Sequence, residues 1–289
     1  LSLNGYRGTI QWQQSATING TYSNMAGRTS DTLIISNLTA NRYYRAFVTN
    51  GACTATSSAV GITVDPLSVG GTLSGSKTVC TGTNSSAMSL TGNVGTIVRW
   101  QSSTDSFATD ITNITNATSS YTASGLTQTT YFRAVVTSGV CASANSSTAT
   151  ITVNATSVGG TATLTTTSPI CTGTNSTTFS LSGHTGSVTK WQWSSTSNFA
   201  TATDVVSTST TLTVTNLTAS RYYRAVVTSG VCAADNSAGA LITVSPASVG
   251  GSVAGTTNVC FGTNSATMTL SGHTGSVTKW QSATNSAFT

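Results

Sequence analysis

Residues 133–142 read Arg-Ala-Val-Val-Thr-Ser-Gly-Val-Cys-Ala, and residues 224–233 repeat them without a change. A looser third copy, Arg-Ala-Phe-Val-Thr-Asn-Gly-Ala-Cys, occupies residues 45–53. Each copy follows a Leu-Thr and then two aromatics, from Leu38 to Tyr43 and Tyr44, from Leu126 to Tyr131 and Phe132, and from Leu217 to Tyr222 and Tyr223. A chain built this way is a tandem array. Each repeat must be one folding unit, and function has to be read per unit and per array.

Within each copy polar and apolar positions alternate, β-branched and aromatic residues dominate, and a Gly turn follows, which predicts a half-buried strand. The six-residue step from Leu38 to Tyr44, Leu126 to Phe132 and Leu217 to Tyr223 resembles the tyrosine corner of immunoglobulin-like and fibronectin-like sandwiches. Phe132 has no hydroxyl, so in the second repeat only the packing half of that device operates. Trp12, Trp100, Trp191 and Trp280 recur at the place of strand C, and Trp100 is expected to point inward. Trp193, which has no counterpart in the other repeats, is the better candidate for an exposed sugar-binding ring.

Cys80, Cys171 and Cys260 recur with a period of 89 or 91 residues, about one sandwich domain. The fold class expected is therefore all-β, a tandem array of immunoglobulin-like β-sandwich domains arranged end to end. Residues 1–65 form a repeat lacking its first strand, 66–154 and 155–245 are complete repeats, and 246–289 begin a further one with strands A to C. In the second repeat strand A is expected at 71–79, B at 87–91, C at 97–102, E at 120–123, F at 131–137 and G at 148–153. The joints 65–67, 154–156 and 245–247 are short, so neighbouring domains should abut. The sequence begins beyond a repeat's first Cys and stops inside another, and it reads as a window on a longer array.

Only 6% of residues are charged and Glu is absent. Ser, Thr, Asn and Gly supply the wet surface instead. The net charge of +5 is spread without a Lys or Arg run, which argues against nucleic acid as a partner. No apolar run approaches the ~20 residues of a membrane span.

Each full repeat carries one Cys before strand B (Cys80, Cys171, Cys260) and one after strand F (Cys53, Cys141, Cys232). Regular spacing in a Ser/Thr-rich chain indicates disulfides in an oxidising, extracellular setting. Pairing inside a repeat, Cys80 to Cys141 and Cys171 to Cys232, would join residues 61 apart. In a sandwich, however, the A–B and F–G turns lie at opposite ends, ~20 Å apart for strands rising about 3.3 Å per residue. A disulfide needs Cα atoms within about 7 Å. In an end-to-end array the A–B turn of one domain faces the F–G turn of the next. The favoured pairing is therefore the inter-repeat link Cys80 to Cys232, with the in-repeat pairing as runner-up. Cys53, Cys141, Cys171 and Cys260 would then pair beyond this window. A nucleophilic Cys would need a nearby base, and the only histidines, His184 and His273, sit in Ser-Gly-His-Thr-Gly turns.

The six Asp do not align as a repeated cluster, no calcium loop occurs, and Gly70-Gly71 opens no helix. The expectation is no enzyme, no cofactor and no metal site. Arg99 with Arg133, and Lys190 with Arg224, fall at outward positions of strands C and F, where Gln11 and Arg45 stand in the first repeat. They read either as long stems covering sheet surface or as a weakly basic binding face for acidic polysaccharide or another filament chain. Sequons such as Asn19, Asn37, Asn113, Asn116 and Asn216 follow from a chain rich in Ser and Thr.

The assembled pattern runs Val-Gly-Gly-Thr, Cys-Thr-Gly-Thr-Asn, Leu-Ser-Gly, Trp-Gln-Ser, Leu-Thr, Tyr-Tyr-Arg-Ala, Gly-Val-Cys, Ile-Thr-Val. It resembles the immunoglobulin-like repeats of giant Bacteroidota cell-surface adhesins, the gliding-motility adhesins and other cargo of the type IX secretion system. Asp31-Thr32-Leu33 also resembles the short O-glycosylation signal of that phylum. The resemblance implies a stalk or filament segment at the cell surface that bears mechanical load, with neighbouring repeats of the same chain as its first partners. A carbohydrate-binding array and an accessory stalk of a secreted hydrolase are the alternatives.

Overall fold

The structure is a computed structural model that describes residues 1–288. Among the described residues every regular element is a strand, and no helix is long and apolar enough to cross a membrane. The first repeat supplies β1 (Thr9–Ser15), β2 (Ser23–Asn24), β3 (Arg42–Asn50), β4 (Cys53–Thr56) and β5 (Val60–Ile62). The second supplies β6 (Thr72–Ser74), β7 (Lys77–Cys80), β8 (Ser85–Thr91), β9 (Thr96–Ser103), β10 (Thr112–Ile114), β11 (Ser120–Ser124), β12 (Thr130–Thr137), β13 (Ala144–Asn145) and β14 (Ala149–Asn154). The third supplies β15 (Thr161–Leu164), β16 (Ile170–Cys171), β17 (Ser176–Ser182), β18 (Ser187–Ser194), β19 (Thr203–Val205), β20 (Thr211–Thr215), β21 (Arg221–Thr228), β22 (Asp235–Asn236), β23 (Ala240–Ile242) and β24 (Val244–Ser245). Residues beyond it add β25 (Ser252–Ala254) and β26 (Thr269–Ser271).

Two compact units contain these strands. One comprises residues 1–76, 86–123 and 130–150, the other residues 77–85, 124–129 and 151–289. The division runs through the second repeat, so each joint between repeats falls inside a unit.

In the first unit, β2-β1-β3-β4 form one sheet with β5 on β3, β10-β9-β12 form another with β13 on β12, and β11-β8-β6 form a third. Trp12 and Trp100 are buried, and each indole N–H donates to a carbonyl 18 residues on, Ser30 O at 2.8 Å and Thr118 O at 3.0 Å. Ile10, Leu33, Tyr44 and Ala46 close the core around Trp12.

In the second unit, β15-β17-β20 face β19-β18-β21, with β22 and β23 on β21. Period-2 alternation turns Thr177, Phe179 and Leu181 of β17 inward, and Trp191, Tyr223, Ala225, Val227 and Ile242 meet them. This is a two-sheet sandwich with an aromatic centre. Trp191 is fully enclosed and repeats the indole bond, to Ser209 O at 2.9 Å. Truncating such a residue costs about 3–5 kcal/mol.

The expected single strand A is two strands. β6 pairs antiparallel with β8 in the first unit, whereas β7 pairs parallel with residues 151–154 in the second. Gly75, at φ 109, turns the chain between them where a Cβ would meet Ala87 O. The third repeat does the same, with β15 on β17 and β16 parallel to β24. Strand C expected around Trp280 does not form, and Trp280 is 57% exposed. Elsewhere C is held by the strand that carries the Arg-Ala motif, and the described residues 246–288 hold no such strand.

Candidate functional site: the joint between repeats

The parallel pairing of β7 decides where Cys80 lies. Its register sets Cys80 opposite Asn154, the residue at which the chain leaves the second repeat, and Thr81 N–H donates to Asn154 O at 2.8 Å. The turn after Cys80 is held by Asn84. Its amide donates to Cys80 O (2.9 Å) and Leu126 O (2.7 Å), and its carbonyl accepts the Leu126 N–H (3.0 Å). Asn175 makes the same three bonds to Cys171 and Leu217, and Asn264 donates to Cys260 O. The last residue of Cys-Thr-Gly-Thr-Asn is therefore a clip that fixes the Cys-bearing turn.

From the other side comes the turn after β21. Ser229 N–H donates to Ser157 Oγ at 2.9 Å, and Val231 N–H to Asn154 Oδ1 at 3.4 Å. Gly230 is left-handed at φ 52, and a Cβ there would fall on the Asn154 amide. The turn thus sits directly on the linker. Cys232 Sγ lies 3.2 Å from Ala155 O. Both cysteines have been brought to Asn154, and they are bonded: the Cys80–Cys232 disulfide has a Cα separation of 5.0 Å across 152 residues of sequence. The in-repeat pairing is overturned, because Cys141 and Cys171 are free thiols.

The joint in the first unit is built from the same parts. Ser138 N–H donates to Ser68 Oγ (2.9 Å), Val140 N–H to Asp65 Oδ2 (3.1 Å), and the Cys141 thiol to Pro66 O (3.4 Å). Gly139 has φ 51, with the Asp65 carboxylate where its Cβ would be. Cys141 therefore occupies the position of Cys232. Val140 beside it is 95% exposed, whereas Val231, beside the bridge, is 59% exposed.

The basic residues of strands C and F occupy a different setting from a bare charged stripe. Arg133 is opposite Gln101 and Arg224 opposite Gln192, while Arg99 and Lys190 face Val135 and Val226. Arg133 Nε donates to Gln101 Oε1 (2.8 Å) and its guanidinium lies 4.1 Å over Phe107. Arg224 makes the same pair with Gln192 (2.9 Å) and Phe199 (4.2 Å), and Arg45 with Gln13 (2.9 Å) and Tyr22 (4.1 Å). The turn after each C strand folds back over the sheet and engages these heads. Lys190 is paired with Asp204 at 2.8 Å, and its hydrogen bond, with that of Gln192, holds the carboxyl below its ordinary range. Trp193, the sugar candidate, has Arg221 3.7 Å over its ring.

Burial raises the Tyr223 hydroxyl, and Arg221 opposes the shift. Tyr44 is raised in the same way beside Arg42. In the second repeat Thr130 stands for that arginine and Phe132 for the tyrosine, so the pair changes together. Asp105 is held well below the usual carboxylate range by hydrogen bonds from Thr109 and Ser103 and from the backbone of its turn. Among the described residues no group of three His, Cys, Asp or Glu could hold a metal ion.

These features define a class: tandem immunoglobulin-like sandwiches, one of whose joints is closed by a disulfide between consecutive repeats. The chain belongs to the family described as Domain of unknown function (DUF8696), whose model matches residues 1–66, 69–155, 158–246 and 249–289. No curated protein matches it in sequence. Solved structures to which it is similar include the FN1–FN3 domains of chicken CNTN1, at 11% identity over 82% of this chain and 89% of that one, with a TM-score of 0.30. A chain of the mouse coronavirus receptor-binding domain complexed with its murine receptor is 11% identical over 61% of this chain and 100% of that one, TM-score 0.40. Murine CEACAM1b is 12% identical over 61% and 100%, TM-score 0.34.

Proposed function

We propose that this array is a repetitive stalk segment of a large secreted bacterial surface adhesin, holding a binding region away from the cell under mechanical load. The observation that carries the reading is the Cys80–Cys232 bridge, which ties consecutive repeats together at their joint. A bridge of this kind persists in oxidising, extracellular surroundings. It closes a loop for which the chain-entropy model gives roughly 5 kcal/mol. The repeats' near-identity suits a spacer, in which number and stiffness matter more than any one copy, and no catalytic role is assigned to it. The resemblance in motif order to the repeats of giant Bacteroidota adhesins points the same way.

A binding array is disfavoured because Arg45, Arg133 and Arg224 already spend a guanidinium donor and a face inside their own repeat. The test has two arms. The purified chain on a glycan array should bind nothing; retention of acidic polysaccharide would turn the reading towards the binding array. Deleting two repeats from the parent protein should weaken cell attachment under flow and leave binding by the purified binding region unchanged.

A further inference from the structure

The bridge joins two residues 152 apart in sequence while their Cα atoms are 5.0 Å apart. A chain pulled from outside that interval has two covalent routes between Cys80 and Cys232. One is the polypeptide through β8 to β21, most of the second repeat and most of the third. The other is a single disulfide. The shorter route becomes taut first and carries the tension.

We infer that the Cys80–Cys232 disulfide is a force bypass: tension enters at the A–B turn of one repeat, crosses to the F–G turn of the next, and leaves the folded body between them unloaded. The strands outside the closed loop remain in the path. In the two bridged repeats these are β6 and β7, which enter the bridge, and β22 to β24, which leave it. β6 is zipped to β8 through residues 72–74, and β23 to β21 through 240–242, so these short pairings are what peels when the chain is stretched. Trp100 and Trp191, with the strands β9 and β18 that bear them and their partners β12 and β21, lie inside the loop and are spared.

The clip made by Asn84 and the seat of Cys232 on Ala155 fix both ends of the bypass at the joint. Each sandwich on its own could be unravelled by force. Bridged in this staggered way, neither can lengthen the chain by unfolding its centre. A dithiol reductant abolishes the effect by transferring two electrons and two protons to the bridge, leaving two thiols on the protein and an intramolecular disulfide on the reductant. The repeats then stand in series with the load. This inference rests on the same bridge as the proposed function; the stretched length tests the chain's mechanics, whereas the glycan array and the repeat deletion test the stalk reading, so the two failures are told apart.

The experiment is single-molecule stretching of the full chain, tethered through peptide tags at its two ends so that no cysteine is used for attachment. Without reductant, the fully stretched length should fall short of that of the reduced chain by roughly 500 Å, given about 3.3–3.6 Å per hidden residue. Adding dithiothreitol should release that length. Cys80→Ser should show the full length in both conditions, and Cys171→Ser should keep the shortfall. Equal lengths with and without reductant in the unsubstituted chain would overturn the inference. So would a shortfall of roughly 200 Å per bridge that Cys171→Ser reduces, because that is the signature of bridges inside each repeat.

Discussion

Asn84 holds Leu126 by both of its backbone polar groups, accepting from its N–H at 3.0 Å and donating to its carbonyl at 2.7 Å, across 42 residues of sequence. A third bond, to Cys80 O, makes the side chain the pin between the Cys-bearing turn and the turn that precedes β12. The same side chain therefore serves the turn before β12, through Leu126, and the joint, through Cys80.

Asn84→Ala removes all three bonds and leaves part-buried backbone groups without partners. A net hydrogen bond is worth about 0.5–1.5 kcal/mol and an orphaned partner adds to the loss, so the expected cost is about 2–4 kcal/mol in urea unfolding. Asn84→Asp keeps the acceptor and loses both donors, and should fall between. The joint gives a second readout. The yield of the Cys80–Cys232 peptide in non-reducing mass mapping should drop in Asn84→Ala and stay unchanged in a substitution elsewhere on the surface.

Gly230 tests the seat of the F–G turn. Its φ of 52 is left-handed and its missing Cβ is where Asn154 reaches in. Gly230→Ala pushes the Asn154 amide away and removes the bond to Val231 N–H. We expect a loss of about 1–3 kcal/mol, the ordinary cost of strain at such a position, and easier reduction of the bridge. Asn154→Ala should relieve the clash, so a double-mutant cycle that shows no coupling between 154 and 230 would refute this account.

The repeat and the inward Trp100 were legible because both rest on periodicity, which survives without coordinates, and the Cys80–Cys232 link because sandwich topology sets the A–B turn of one domain against the F–G turn of the next. The break of strand A did not show. Leu73 and Val79 are both inward and share the same parity across Gly75, so parity hides the change of partner. The clip made by Asn84 was invisible for another reason: its partner is 42 residues away, and an Asn in a Gly turn looks like turn chemistry alone. The pairing of Arg133 with Gln101 depends on register. The second and third repeats carry one extra residue before the tryptophan, Gly95-Thr-Ile-Val-Arg-Trp against Gly8-Thr-Ile-Gln-Trp. The extra residue is absorbed as a bulge, visible as register shifts at Val135/Val136 and Val188/Lys190. Comparing the repeats with one another would have found it.

Arg224 and Phe199 form the recurring staple in its most enclosed version, with the ring 8% exposed and the guanidinium 4.2 Å above it. A cation over an aromatic face contributes about 0.5–2 kcal/mol depending on desolvation. The cycle of Arg224→Ala, Phe199→Leu and the double variant should return a coupling of that size. Arg224→Lys should lose most of it, since Lys cannot both stack and donate from a fixed Nε to Gln192. A coupling near zero would mean the guanidinium is free for a ligand, and would revive the binding-array reading.

Asp105 gives the chain an acid limit with a definite sign. Bonds from Thr109 and Ser103, and from the backbone of its turn, favour the carboxylate and hold it below its ordinary value of 3.8. A group lowered in the folded state adds stability that is complete above the unfolded value and is lost as pH falls through the folded one. The turn should therefore be intact at neutral and mildly acidic pH and loosen only below about pH 4. Carboxyl NMR should place the Asp105 midpoint below the ordinary aspartate value of 3.8. Asp105→Ala should free Phe107 from beneath Arg133 at every pH, and the stability of that variant should change less with pH on the acid side. If the unsubstituted chain shows the same acid slope as Asp105→Ala, the turn does not depend on the charge.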